Sequence, residues 1–177
     1  MPTKLTLIQK LAALHEHTAN NKASWHSIFL SLDNAATVLK VHRSTQGFGR
    51  KAGIADGSCR LEIELMLRAF ALESLLKAIW IGEGNTVVAR GDFKMTGMMM
   101  KHDLIKIAQA AGLTLATNER RLLRRLSRAV FLGRYPIGKE PVPVSDRRDG
   151  WSDEYDLQYQ EFVDRLTRVI RGANPFG

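Results

Sequence analysis

The residues of this chain that could do chemistry are five histidines, one cysteine and a dense run of arginines. No two of His15, His17, His26, His42 and His102 are spaced i, i+4, and no HExxH occurs, so the helical zinc-hydrolase pattern is missing. His15 and His17 would fall on different faces of a helix. His102 stands apart because Lys101 and Asp103 flank it at a predicted helix start. That triplet is either a solvent-exposed cap or a general acid/base centre, His102 with Lys101, in an anion-lined cleft. Cys59 lies among apolar helix residues and reads as a small buried filler. A single cysteine excludes an intramolecular disulfide and a thiolate-rich zinc site. No serine has a nucleophile setting, and no carboxylate pair has metal-ligand spacing. Neither metal nor cofactor is expected.

The arginines are concentrated in "NERRLLRRLSRAVFLGRYP", residues 118–136. At about 100° per residue, Arg120, Arg121, Arg124, Arg125 and Arg128 fall within an arc of about 140°. Leu122, Leu123, Leu126, Ala129 and Val130 fall opposite, so burying them pushes all five guanidiniums outward. Like charges three and four apart cost a few tenths of a kcal/mol each. Glu119 is the one acid in the run. Two readings follow. The face grips phosphate through bidentate guanidinium forks, or it is solvated and neutralised by acids from neighbouring helices. The acidic start of the last helix is one such source. Arg134 and Tyr135 could add a further fork and a stacking ring, or form a structural turn before Pro136. Such contacts would go to the nucleic-acid backbone and carry no sequence information.

The bulk numbers agree with a polyanionic partner. The net charge is +8 and the pI near 9.9, and the charge is clustered. At 177 residues, 45% hydrophobic and 25% charged, the chain fits one globular domain with a real core. Residues 1–20 lack the pattern of a signal peptide. Glu62, Glu64, Arg68, Glu73 and Lys77 interrupt the most apolar stretch, which rules out a membrane span there. A cytoplasmic setting without membrane contact is expected.

Helical periodicity dominates the elements that must position these residues. Leu5, Ile8, Leu11, Ala12 and Leu14 predict a helix over 4–19, closed by Asn20-Asn21. Ser24 is placed to cap a second helix, about 25–42, with Ile28, Leu32, Ala35, Ala36 and Leu39 on one side. A glycine-rich, mobile loop is expected near 44–57. A central helix over 58–81 is apolar around much of its circumference and so should be surrounded by others. On it, Glu73 and Lys77 share a face, as a surface pair or a partly buried one. Residues 82–100 read as loop, with Val87-Val88 as a possible short strand; "MMM" at 98–100 reads as packing material. A short helix should end at Gly112, and Thr117 or Asn118 should cap the arginine helix. A Pro/Gly arm near 133–151 precedes a last helix, about 152–171, whose acids and arginines suit its dipole at both ends. The expected fold is all-α, an antiparallel up-and-down bundle of five to six helices in one domain.

Three segments together resemble the higher eukaryote and prokaryote nucleotide-binding (HEPN) family. They are "ALESLLKAIWI" in the central helix, "KHDLIKIAQAAGL" with its His-Asp-Leu opening, and "RAVFLGRYP". The resemblance covers about residues 58–136. It implies an up-and-down helical bundle, often a homodimer with a cleft between subunits. It also implies RNA or nucleotide as ligand, a defence or toxin–antitoxin setting, and an antitoxin or minimal nucleotidyltransferase as partner. Many members are metal-independent ribonucleases carrying Arg, four to six residues, then His. This chain departs from that pattern, since no histidine follows His102 and Arg90 lies twelve positions before it. The functions in play are therefore phosphate-ligand binding, a divergent ribonuclease, and an interaction module for an acidic protein.

Overall fold

The computed structural model describes residues 6–45, 54–95, 102–134 and 151–172, with backbone alone at 43, 54–60 and 131–134. Six helices fill these residues: α1 (Leu7–Ala19), α2 (Lys22–Thr45), α3 (Ile54–Gly82), α4 (Leu104–Ala110), α5 (Thr117–Arg134) and α6 (Asp153–Ile170). The fold is an all-α helical bundle. Lys101, the methionine triplet, Tyr135 and the rest of the Pro/Gly arm up to 150 lie outside the described residues.

α3 is the axle. Its residues from Ala71 to Ile81 are all buried, and it packs along α2 and against α4, α5 and α6. Contacts at the two ends of each pair give the directions. Trp25 and Lys40 of α2 reach Lys77 and the Arg68 cluster of α3 respectively, so α2 and α3 run antiparallel. Arg165 meets Glu119 while Tyr155 meets Arg125, so α5 and α6 do too. Leu122, Leu123 and Leu126 of α5 and Tyr159, Phe162 and Leu166 of α6 close the core over α3.

Local chemistry sets the helix ends. Thr6 and Gln9 form a reciprocal capping box at the start of α1 (3.3 and 2.8 Å). The Asn21 carboxamide, not Ser24, caps α2 by accepting the Ala23 N–H at 2.9 Å. Ser24 already lies inside the first turn. Neither Thr117 nor Asn118 caps α5, since that helix opens one residue earlier. Glu119 reaches back to the Ala116 N–H at 2.8 Å instead. Asp103 caps α4, accepting from the Lys106 N–H at 3.3 Å. Gly112 follows α4 with φ +73°, the left-handed step that glycine takes without strain.

Three expectations shift. α3 begins at Ile54 and α2 continues through Thr45, so helix occupies both ends of the expected 44–57 loop. The inward face of α2 is rotated: Phe29 and Ala36 are buried, whereas Ile28 and Ala35 are exposed. Trp25 and Phe29, large and aromatic, win the core over Ile28. Val88, but not Val87, enters a strand within the expected loop, in a hairpin of two-residue strands, β1 (Val88–Ala89) with β2 (Asp92–Phe93). Arg90 and Gly91 turn it with φ of +54° and +80°, the double left-handed geometry of a tight hairpin turn. Asn20 holds it to the end of α1. Its Oδ1 accepts from Val87 and Val88 N–H (2.6 and 3.1 Å), and its Nδ2 donates to the Val88 carbonyl at 2.6 Å.

Candidate functional site

The helical wheel of α5 is realised as the pattern requires. Leu122, Leu123, Leu126, Ala129 and Val130 are buried, and Arg120, Arg121, Arg124 and Arg128 are exposed. Arg125, at one edge of the arc, is half-buried with its guanidinium 4.7 Å above the Tyr155 ring. Arg120 donates from Nε to the Leu115 carbonyl at 3.3 Å. Among the described residues, Arg121 and Arg124 have no carboxylate partner. Two nearby acids are committed elsewhere. Glu119 takes the fork of Arg165, with both N–O distances at 3.0 Å. Asp156, at the acidic start of α6, takes Lys40 and Arg68.

Each edge of this face leads to a polar cluster, and the two clusters lie on opposite sides of α3. Glu64–Arg68 and Glu73–Lys77 are both acid-first i, i+4 pairs, nine residues apart, which is about 180° of helix rotation.

The first cluster adjoins Arg125. Arg68, 3% exposed, sits 3.1 Å from Glu64 Oε1 and donates to Asp156 Oδ1 at 2.7 Å. Asp156 Oδ1 also accepts the Trp151 indole N–H at 2.7 Å, and Lys40 lies 2.7 Å from Oδ2. Burial alone would raise the Asp156 pKa. The Lys40 and Trp151 hydrogen bonds with the Arg68 and Lys40 charges outweigh it and hold the carboxyl below the ordinary value. Tyr159 donates to Asp33 at 2.6 Å, and burial followed by the Asp33 charge keeps its phenol neutral well past its ordinary pKa. The rings form a ladder: Arg68 lies over Trp151 (5.4 Å), Trp151 stacks on Tyr155 (5.4 Å, 25°), and Tyr155 lies under Arg125.

The second cluster adjoins the opposite edge of the arc. Glu73 and Lys77 are each 6% exposed and 2.6 Å apart, which resolves the pair as buried. The Lys77 ammonium also faces the Trp25 ring at 5.2 Å. The second Glu73 oxygen lies 2.7 Å from His102 Nδ1, and Phe70 meets the imidazole edge-on at 5.6 Å. With the carboxylate accepting, the ring proton sits on Nδ1 and Nε2 is left as the other polar atom. Within the triplet Asp103 does the capping, while His102 keeps its side chain 27% exposed. Its backbone adopts φ +51°, a left-handed conformation that costs a non-glycine residue roughly 1 kcal/mol or more.

Ser127 joins this cluster to the arginine helix. Its hydroxyl donates to the Leu123 carbonyl (2.8 Å) and accepts the Leu104 N–H (3.0 Å), two residues beyond His102. On the α5 wheel Ser127 lies about 20° from Arg120 and about 60° from Arg124. Ser127 thus ties the start of α4, two residues past His102, to the edge of the arginine face. Of the other sequence candidates, Lys101 and Tyr135 lie outside the described residues, and Arg134 is described by its backbone alone, at the last position of α5.

Sequence reasoning missed Glu64, Arg68, Asp156, Trp151 and Ser127. The E-x-x-x-R spacing at 64–68 was visible and matched the one noticed at 73–77. Its partner Asp156 is 88 residues away, so no local pattern announces the pairing. Among the described residues, no cluster of three or more His, Cys, Asp or Glu could hold a metal ion, and no helix is long and apolar enough to cross a membrane. No protein-family model matches the chain, and no curated protein or solved structure matches it.

Proposed function

We propose that this chain is a HEPN-like helical bundle that binds a phosphate-bearing ligand, RNA or a nucleotide, on the outer face of α5. The observation carrying this reading is that Arg121 and Arg124 face solvent without a carboxylate partner among the described residues, while the nearby acids Glu119 and Asp156 pair with other cations. Two guanidiniums held outward by a leucine seam are suited to phosphate oxygens and need little reorganisation to grip them. Arg125, held on the Tyr155 ring, adds a third guanidinium at the edge of this face. The setting would be cytoplasmic, in defence or toxin–antitoxin function.

RNA and nucleotide affinity measured against salt tests this. The Arg121→Glu, Arg124→Glu, Arg125→Glu triple variant should bind far more weakly and flatten the salt slope by about 2, at ~0.7 per single-strand phosphate contact. Affinity and slope equal to those of the unaltered chain would remove α5 from the account.

A second reading has its own support, the Glu73–His102 contact on a strained backbone. Here His102 is the acid/base of a divergent metal-independent ribonuclease, oriented by Glu73. RNA cleavage in chelator, abolished by His102→Ala with binding retained, would establish it. Intact RNA across a broad panel would end it.

A further inference from the structure

Lys77 lies buried in the all-buried stretch of α3, an environment that lysine almost never enters unless paired. Among the described residues its ammonium meets one acid, Glu73 Oε1 at 2.6 Å, and one ring, that of Trp25. Glu73 is as deeply buried and spends both oxygens, since Oε2 lies 2.7 Å from His102 Nδ1. Asp103, next to His102 in sequence, is taken by the Lys106 N–H at 3.3 Å and the Lys106 ammonium at 3.4 Å. One carboxylate therefore serves two nitrogen bases.

The charges follow from that ratio. Lys77 as ammonium and Glu73 as carboxylate sum to zero, which leaves a neutral imidazole. A proton on the ring as well would put a net positive charge into a poorly solvated site, on a chain that already carries +8. A neutral imidazole has one N–H, and an ionised carboxylate only accepts, so that hydrogen lies on Nδ1 and Nε2 is a bare lone pair. Without the lysine charge the balance changes. A buried carboxylate that has lost its cation takes up a proton from solvent. Either the acid O–H donates to Nδ1 and the ring hydrogen lies on Nε2, or the proton passes to the ring, which then carries hydrogen on both nitrogens. Both routes put a hydrogen on Nε2.

We infer that Lys77 is a positioning residue that acts through Glu73 to keep His102 Nε2 free of hydrogen, so that the imidazole presents an acceptor to its ligand. The ring is partly exposed, which leaves it open to one. The class of ligand group follows. A bare ring nitrogen takes an O–H or N–H donor, such as a hydroxyl, and repels a phosphate oxygen. Phosphate is thus left to the guanidiniums of α5, and a donor group to His102. The inference rests on the Glu73–His102 contact that the ribonuclease reading also uses. It is measured with no RNA present, so the two can fail separately.

Nitrogen NMR of the isotope-labelled full chain tests it, at pH about 7.5, above the ordinary imidazole value. His102→Gln identifies the ring resonances by their loss. In the unaltered chain Nδ1 should read as protonated and Nε2 as unprotonated. Lys77→Arg keeps the charge and should keep that pattern. Lys77→Met should move Nε2 into the protonated range, with the exposed His15 and His17 unmoved. Lys77→Gln removes the charge but retains a donor for Glu73, and it should give the same reading if the methionine variant does not fold. A merely structural lysine would lower the thermal midpoint in these variants without moving the proton. A protonated Nε2 in the unaltered chain overturns the inference, and so does an unprotonated one in a folded neutral variant.

Discussion

The two ion-pair clusters on α3 begin from the same local pattern and end differently. Around Arg68, the carboxylate of Asp156 takes three donors, aromatic rings cover the guanidinium, and a neighbouring phenol is tied to Asp33. Around Glu73, the chain of contacts stops at a histidine in left-handed backbone, with its side chain 27% exposed. The first arrangement consumes its polar groups in joining α2, α3 and α6. The second spends strain to hold one imidazole in place. A fold uses buried charge for assembly where all partners are internal, and for presentation where the last partner reaches the surface. Arg68 and His102 thus represent two uses of one helix.

Three measurements test that contrast. The largest effect is expected from Arg68→Met, which leaves the buried Glu64 and the partly buried Asp156 without their shared cation. Urea denaturation should show a loss of about 3–5 kcal/mol. A loss under about 1 kcal/mol would mean that the Arg68 cluster is not what holds α6 to the bundle. Next is acid. The Asp156 pKa is depressed in the folded state, so its contribution is complete above the ordinary carboxylate value of 3.8 and disappears as pH falls through the lower, folded one. Thermal midpoints should fall in that window, and Asp156→Asn, already less stable at neutral pH, should fall less steeply there. Smallest is His102→Gly. Glycine relieves φ +51° while the Glu73 contact is lost, so stability should change by no more than about 1 kcal/mol. A penalty as large as that of Arg68→Met would erase the distinction between assembly and presentation.

Much of the architecture was legible from periodicity. α5 and α6 carry their apolar residues on one side, and Leu122, Leu126, Tyr159, Phe162 and Leu166 go inward as their spacing dictates. The buried face of α2 differs from the one its spacing predicts because aliphatic residues lie on both of its sides. Spacing alone cannot say which side is the core, and the aromatic Trp25 and Phe29 decide it. The outward arginines were legible because leucines fix their direction. That Arg121 and Arg124 meet no carboxylate among the described residues was not, since it depends on where Asp156 and Glu119 go, and the cations that take them are 88 and 46 residues away from them. The Glu73–Lys77 pair could be seen but not placed, because an i, i+4 spacing is equally compatible with solvent and core. His102 drew notice for its neighbours Lys101 and Asp103, but the group it touches is Glu73, on another helix.

The Ser127 hydroxyl bonds to both α4 and α5, and that makes His102 a reporter. A small displacement of α5 under load would be transmitted through one oxygen to the first amide of α4, and from there to an imidazole two residues away. Its proton resonances offer a spectroscopic gauge of occupancy on the arginine side, readable even with a ligand that never touches the ring.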